Sequence, residues 1–219
     1  MKELDWRGVQ KMNDLTTLIK SRRSANRFIE GIDIPDRTLD DIFNEVKYAP
    51  SAFNLQHARY VVVKAPDLKD KVYEAANKQH KIRTASAVIV VLGNIRAYEE
   101  VGRMNEGFLS LGIIDKLEYD QTVEEVTRFY KERGESFMRD EAIRNASLSA
   151  MMLMLVAKDK GWDTCPMIGF DPELLRKALG IPAEYVPGML IAIGKEDAAK
   201  PRPRGYRKPV LEFVSYDRF

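Results

Sequence analysis

The feature that most constrains the fold is a helix predicted over Asp140–Lys160 with apolar residues on nearly every side. Its central segment, residues 148–157, reads LSAMMLMLVA. A helix that is apolar all round is expected to be buried. Asp140 is a candidate N-cap and Gly161 a candidate left-handed terminator. The stretch Trp162–Phe170, which contains a proline and a glycine, is expected to be irregular. A buried helix followed by a tight apolar loop could form one wall of a cofactor pocket. The same stretch could equally be a core helix followed by an ordinary turn.

Composition excludes several classes of protein. With 219 residues, of which 45% are hydrophobic, the chain is expected to form a single domain over residues 1–219. The net charge of +2 does not favour nucleic acid as a partner, and no apolar run is long enough to span a membrane. Met1–Lys20 lacks the apolar centre of a signal peptide. One cysteine allows no intrachain disulfide, so a cytoplasmic location is expected.

Apolar periodicity and turn residues predict helices and strands along the whole chain. Helices are expected at Leu15–Ser21, Ile34–Ala49, Pro66–Asn77 and, from the cap Asp171 to Gly180, near the C-terminus. Strands are expected at Ala58–Val63, Ala85–Leu92, Tyr185–Ile193 and, at an edge, Val210–Tyr216. A helical excursion over residues 95–138, including a helix at Glu118–Arg133, is the candidate substrate-covering element.

A dense set of anion donors follows the first helix, in the segment Arg22–Phe28. If the segment is helical, Arg23 and Arg27 share a face. If it is extended, Arg22 and Ser24 share a side, and a guanidinium and a hydroxyl together suit a phosphate. A solvated basic turn is the plainer alternative.

Polar side chains in the loop Pro50–His57 could donate to and accept from a ring that carries carbonyls and ring nitrogens. His57 and His80 are too isolated to predict a metal site, and Cys165 is expected to be an inert buried thiol. No nucleotide-binding or nucleophile motif occurs. A cofactor that brings its own chemistry would explain this absence.

Four segments in this order resemble the signatures of the FMN-dependent nitroreductase family. They are Arg22–Phe28, Pro50–His57, Pro166–Asp171 and Arg207–Pro209. The resemblance extends over almost the whole chain, from about Leu15 to Val214.

The resemblance implies an α+β fold with a central, mainly antiparallel sheet flanked by helices. It implies a homodimer in which the C-terminal strand of one subunit joins the sheet of the other, with FMN bound at the interface. The implied activity is transfer of a hydride from NAD(P)H, through flavin N5, to nitroaromatic, quinone or similar small acceptors by a ping-pong mechanism. No protein residue is assigned as catalytic acid or base.

The family's cofactor contacts map onto thirteen residues of this chain. The phosphate is assigned to Arg22, Ser24 and Arg207, with Arg23 beside the ribityl chain or ring and Asn26 at a position that is often basic in the family. The partner subunit would supply Pro50, Ser51, Ala52 and Asn54, with Gln56 nearby. Lys81, with Gln79 as a rival, would lie at the pyrimidine edge of the ring, and Ile168 and Gly169 against the ring. Ala58 and Ile168 depart from the family pattern, which loosens the inference about the substrate.

Three alternatives remain open at this point. The chain could be another flavoenzyme of the same fold, such as a flavin reductase, an azo reductase, a reductive dehalogenase or a flavin-fragmenting enzyme. It could be a non-enzymatic flavin-binding module. The basic tail Lys200–Lys208 could bind nucleic acid, although the nearly neutral overall charge argues against this.

Overall fold

A four-stranded antiparallel sheet forms the centre of the computed structural model, which describes residues 14–197, 199 and 204–219. The strands follow the spatial order β1-β2-β4-β3. Their bounds are β1 Ala58–Val63, β2 Ala87–Asn94, β3 Asp163–Met167 and β4 Tyr185–Gly194. The α+β fold with an antiparallel sheet is confirmed.

Helices cover both faces of this sheet. Their bounds are α1 Leu15–Ser21, α2 Asp36–Val46, α3 Pro66–Ala75, α4 His80–Thr84, α5 Val101–Ser110, α6 Lys116–Asp159 and α7 Pro172–Leu179. Strand β2 is buried along almost its whole length, because alternate side chains enter two separate cores. Val88, Val90 and Leu92 pack with α3, α4 and α7. Ala87, Ile89 and Val91 pack with α2 and α6.

Most of the predicted elements lie where the sequence placed them, with small differences at their ends. Helix α3 stops at Ala75 rather than Asn77, because Asn77 and Lys78 adopt positive φ angles of 52° and 57°. The predicted cap Asp171 accepts hydrogen bonds from the backbone of Glu173 and Leu174, and Gly180 ends α7 in the left-handed conformation. Residues 1–13 and 200–203, which hold most of Met1–Lys20 and part of the basic tail, lie outside the described residues.

The predicted N-cap at Asp140 is wrong. Helix α6 begins at Lys116 with a capping box between Asp115 and Glu118. Its one interruption is Gly134, whose φ of 76° and ψ of −178° break the helical path. The helix resumes directly after Gly134, so Asp140 lies inside it. The predicted helix ending at Gly134 and the terminator Gly161, with a φ of 77°, are confirmed.

Full burial of the second half of α6 is also wrong for the single chain. Leu148 and Met151 are 48% and 41% exposed, and Met152 and Leu155 are only partly buried. These four residues follow an i, i+3, i+4, i+7 spacing and therefore form one apolar stripe on the helix. The opposite side of the helix, with Ala150 and Leu153, is fully buried against the sheet.

The stretch Trp162–Phe170, expected to be irregular, contains strand β3. Asp163 pairs opposite Gly194, and the pairing continues antiparallel along β4 to Met167. Proline is tolerated at Pro166 because β3 lies at the edge of the sheet, where a missing N–H breaks no central ladder. The extended conformation of this stretch results from its pairing with β4, which lies further along the chain. The local sequence does not indicate that pairing.

The predicted edge strand Val210–Tyr216 is wrong within one chain. Val210–Glu212 forms a single 3-10 turn, and the segment is largely exposed, with Leu211 at 87% and Phe213 at 65%. In the described part of the chain, β1 pairs only with β2, so the outer edge of β1 is available to another strand. Exchange of a C-terminal strand between subunits stays a prediction.

The excursion 95–138 forms a small helical unit with its own core. It comprises a 3-10 turn at Ala97–Glu100, helix α5 and the part of α6 before Gly134. Val126 and Tyr130 are buried there together with Leu55, which comes from the loop before β1. The excursion therefore packs directly on that loop. Among the described helices, none is both long and apolar enough to cross a bilayer.

Gly93 of β2 allows α6 to lie close to the sheet, because an added Cβ would come within 2.6 Å of the Ala142 carbonyl oxygen. We expect Gly93→Ala to lower the free energy of unfolding by about 1–3 kcal/mol, the usual cost of overpacking a core. The matched control is Gly107→Ala in α5, where nothing lies within 4 Å of the added methyl group. Helix propensity predicts that this control gains up to about 1 kcal/mol. Chemical denaturation measures both, and equal stability of the two variants would contradict the close approach.

Candidate functional site

The segment after α1 is extended and attaches to the edge of the sheet. Arg22, the C-cap of α1, has φ −60° and ψ 125°. Ser24 forms a parallel bridge with Thr164 of β3, and the Ala25 N–H donates to the Thr164 carbonyl at 2.9 Å. The extended alternative, in which Arg22 and Ser24 share a side, therefore describes this segment. Ser24 is exposed.

Arg204 contacts Arg22 at this edge, and Arg207 lies near enough for its charge to act on Arg22. The Arg204 side chain donates to the carbonyl oxygens of Lys20 and Arg22, the latter at 2.9 Å. Burial lowers the pKa of Arg22, and the positive charges of Arg204 and Arg207 lower it further. No carboxylate in the described part of the chain forms an ion pair with any of these three arginines. The cluster is therefore an excess of positive charge that an anion such as a phosphate would neutralise.

Arg23 and Asn26 share one carboxylate, which belongs to Glu196. The Arg23 side chain donates twice to Glu196 Oε2, at 3.2 and 3.0 Å. The Asn26 N–H donates to Glu196 Oε1 at 3.2 Å. Glu196 therefore fixes the middle of the segment and balances the charge of Arg23, so that Arg23 differs electrostatically from Arg22.

The Lys81 and Gln79 side chains both reach the segment that contains β3 and the loop after it. Lys81 Nζ lies 3.2 Å from the sulfur of Cys165, which is buried as predicted. Gln79 Nε2 donates to the Gly169 carbonyl at 2.9 Å, and Asn77 donates to the same oxygen at 3.2 Å. The two candidates for the pyrimidine edge therefore both contact this segment, Lys81 at Cys165 and Gln79 at Gly169.

Ile168 and Gly169 form an exposed tip beside these side chains. Ile168 is 81% exposed, which makes it one of the most exposed large apolar residues of the chain. A Cβ on Gly169 would lie 3.3 Å from the Gln79 amide nitrogen, a tight contact. Glycine therefore keeps backbone and amide close together, and an exposed apolar residue next to it can cover a planar ring.

The loop Pro50–Gln56 has an unusual backbone. Phe53, Asn54 and Gln56 have positive φ angles of 51°, 54° and 50°, which residues with a Cβ rarely adopt. The Gln56 N–H donates to Ser51 Oγ at 2.9 Å, and the Ala52 N–H donates to Asn145 Oδ1 at 2.8 Å. Strained backbone of this kind collects at functional sites.

A cavity of about 220 Å³ lies beside this loop, lined by Pro50, Ser51, Gln56, His57 and Asn145 among others. His57 is 1% exposed, and its Nε2 lies 3.3 Å from the Tyr130 hydroxyl. Burial lowers the pKa of His57 to about 4, so the ring is neutral at pH 7. Tyr130 donates in turn to Glu141, which also pairs with Arg144.

The predicted residues therefore form two groups that one chain does not bring together. The first group lies at the β3 edge and comprises Arg22, Arg23, Ser24, Asn26, Lys81, Ile168 and Gly169. Arg207 is counted with this group because its charge lowers the pKa of Arg22. The second group, Pro50–Gln56, precedes β1 at the opposite edge. Three strand spacings, about 14 Å, separate the two edges. Within the described residues no hydrogen bond or ion pair joins the groups.

Three residues of the site were missed by sequence reasoning. Arg204 lies in the basic tail only three positions before Arg207, and that spacing was the available signal. Glu196 and Asn145 gave no signal, because each acts on residues that are distant in sequence. Among the described residues, no group of three or more histidine, cysteine, aspartate or glutamate side chains could hold a metal ion.

Comparison with known proteins places these features in a family. Residues 19–195 match the model of the Nitroreductase family. The Bacillus subtilis protein MhqN, named an NAD(P)H nitroreductase, is 53% identical over 205 residues, which are 94% of this chain and 100% of MhqN.

Solved structures agree with this match. The crystal structure of the Bacillus subtilis nitroreductase ydfN superposes with a TM-score of 0.90 at 53% identity, over 92% of this chain and 97% of that one. A nitroreductase from Exiguobacterium sibiricum, solved in complex with FMN, superposes with a TM-score of 0.86 at 26% identity, over 99% and 100% of the two chains. The family match, the 53% identity and the shared fold lead to one conclusion: this chain belongs to the nitroreductase family.

Proposed function

We propose that this chain is an FMN-dependent oxidoreductase that uses NAD(P)H to reduce small acceptors such as nitroaromatics and quinones, and that it works as a homodimer. The observation that carries the proposal is the cluster of Arg22, Arg204 and Arg207, in which Arg22 lies on the segment that pairs with β3. Lys81 contacts Cys165 of the same strand. Family membership and the FMN-bound relative support it. The lone, buried thiol of Cys165 suits a reducing compartment such as the cytoplasm.

The arginine cluster fits the phosphate of FMN. Each guanidinium can direct two parallel N–H donors at a phosphate, and Ser24 adds an exposed hydroxyl on the same extended segment. Repulsion among the three charges contributes to the lowered pKa of Arg22, and a dianionic phosphate would remove that repulsion. Glu196 holds Arg23 and Asn26 in place, so the segment keeps its shape whether or not an anion is bound.

The region around Gly169 fits the flavin ring. The ammonium of Lys81 and the amide of Gln79 are both suited to the carbonyl edge of the ring, where a positive charge stabilises an electron-rich flavin. The Ile168 side chain can cover one face, and the Gly169 backbone can approach closely because it carries no Cβ. When bound, FMN supplies the redox chemistry, and the residues of this chain bind it, orient it and exclude water.

A second copy of the chain would complete the site. The loop Pro50–Gln56 lies about 14 Å across the sheet from the first group, so we assign it to the cofactor of the partner. The exposed stripe with Leu148 and Met151 on α6 and the apolar C-terminal segment 210–219 are surfaces that a dimer would bury. The free edge of β1 is a place where the partner's C-terminal segment can add as a strand.

The first test of this function concerns the phosphate. We expect Arg22→Ala and Arg204→Ala each to weaken FMN binding by about 1.5–3 kcal/mol, the range for hydrogen bonds to charged groups. This corresponds to a rise of about 10- to 150-fold in Kd, measured by quenching of flavin fluorescence.

The matched control for these substitutions is Arg103→Ala. Arg103 is an exposed arginine of α5 that pairs with Glu100 at 3.3 Å. This variant should bind FMN like the wild type. Unchanged affinity in Arg22→Ala and Arg204→Ala would mean that the phosphate binds elsewhere.

The second test concerns turnover. If one pocket receives NAD(P)H and the acceptor in turn, double-reciprocal plots at several fixed acceptor concentrations should give parallel lines. The oxidised nicotinamide should inhibit competitively with the acceptor. Intersecting lines would require both substrates to be bound at once. Flavin that neither NADH nor NADPH bleaches under anaerobic conditions would favour a binding module over an enzyme.

A further inference from the structure

The loop Pro50–Gln56 has a shape that it could not hold by itself. Phe53, Asn54 and Gln56 lie in the left-handed region with φ angles between 50° and 54°, and none of them is glycine. Such a conformation is unfavourable for a residue with a Cβ and persists only where surrounding contacts impose it. The contacts that impose it are therefore part of whatever site the loop serves.

Apolar contacts from the excursion hold the outer part of the loop. The Phe53 ring meets the Phe129 ring edge-on, with a centroid distance of 5.4 Å. Leu55 is 2% exposed and buried in the core of the excursion with Tyr130. These contacts fix two side chains, but they do not orient the backbone N–H groups at the start of the loop.

Asn145 of α6 supplies that orientation. Its Oδ1 accepts the Ala52 N–H at 2.8 Å, and its Nδ2 donates to the Glu141 carbonyl at 2.8 Å. The side chain is 4% exposed and therefore has little freedom to choose another partner. The carboxamide accepts from the loop through its oxygen and donates to its own helix through its nitrogen at the same time.

We propose that Asn145 is a positioning residue: it fixes the backbone of Ala52 and, through it, the flavin-facing shape of the loop Pro50–Gln56. This inference rests on the proposed function, in which the loop meets the cofactor bound by the partner. In this proposal Asn145 acts through Ala52 and not by contact with the cofactor. Part of the FMN affinity of one subunit then depends on a buried side chain of helix α6 in the other subunit.

Three variants separate positioning from simple stability. Asn145→Leu has similar volume but cannot accept the Ala52 N–H. Asn145→Asp keeps an acceptor oxygen towards Ala52, but it places a second carboxyl group near Glu141. The matched control is Asn105→Leu in α5, because Asn105 makes the same kind of bond to its own helix, at 2.8 Å to Val101, and none to the loop.

The full-length apoprotein of each variant is titrated with FMN, and its thermal unfolding is measured without FMN. We expect the Kd for FMN to rise about 10-fold or more in Asn145→Leu and to change less than 3-fold in Asn145→Asp and Asn105→Leu. Stability should follow a different order, with Asn145→Asp lowered at least as much as Asn145→Leu. Among the variants at Asn145, FMN affinity then depends on whether an acceptor oxygen faces Ala52. Thermal stability depends instead on whether a second carboxyl group is buried near Glu141.

Wild-type affinity in Asn145→Leu would overturn the inference and leave the proposed function standing. Affinity that falls in step with unfolding temperature across all the variants would also overturn it, since Asn145 would then be structural only. A wild-type protein that binds no FMN would overturn the proposed function and this inference together.

Discussion

The width of the central sheet is the constraint on which the rest of the site depends. Strands β1 and β3 are its two edges, and the residues suited to a flavin divide between them. The Arg22 segment attaches to β3 by the Ser24–Thr164 bridge, whereas Pro50–Gln56 leads into β1. Because about 14 Å of hydrogen-bonded backbone lies between the edges, no small loop movement could bring both groups to one ring.

The same constraint gives a reason for surfaces that a monomer would not need. Helix α6 buries one side in the core and exposes an apolar stripe on another, and the C-terminal segment displays Leu211 and Phe213. Exposed apolar area of this kind is costly in water and marks surfaces that bind other proteins. In our account, association covers this area and completes the cofactor site in a single step, so affinity for FMN and dimer stability are linked.

Charge in the site is arranged so that some arginines are neutralised and others are not. Glu196 binds Arg23, and this pair fastens the segment to the end of β4. Arg22 has no such carboxylate among the described residues, and its pKa is lowered by burial and by Arg204 and Arg207. Arg22, Arg204 and Arg207 therefore repel one another in the empty site, and an anionic ligand would relieve this repulsion. Such an arrangement favours ligand binding at the expense of the stability of the empty site.

Local patterns were enough to predict much of the fold and part of the site. The unbroken apolar run of β2, the apolar spacing in α2 and the caps at Asp171 and Gly180 are signals that neighbouring residues carry. Strand β3 was missed because only its pairing with β4, distant in sequence, makes the segment extended.

Contacts across the fold explain the other omissions. Glu196 lies 173 positions from Arg23, and Asn145 lies 93 positions from Ala52. No period or spacing in one sequence reports such contacts. The cap assigned to Asp140 failed for a related reason, since the capping box at Asp115 had already started the helix and only Gly134 interrupts it.

The measurement that tests the composite site most directly is complementation between two defective chains. Arg22→Ala damages the first group, and Ala52→Trp fills the space at the second, so each homodimer should bind FMN poorly. In a mixed dimer, one of the two sites combines the intact groups of both chains. Random pairing of equal amounts should therefore recover about a quarter of the wild-type FMN-binding sites. If the mixture binds no more FMN than the separate variants, the site is built within one chain and the account is wrong.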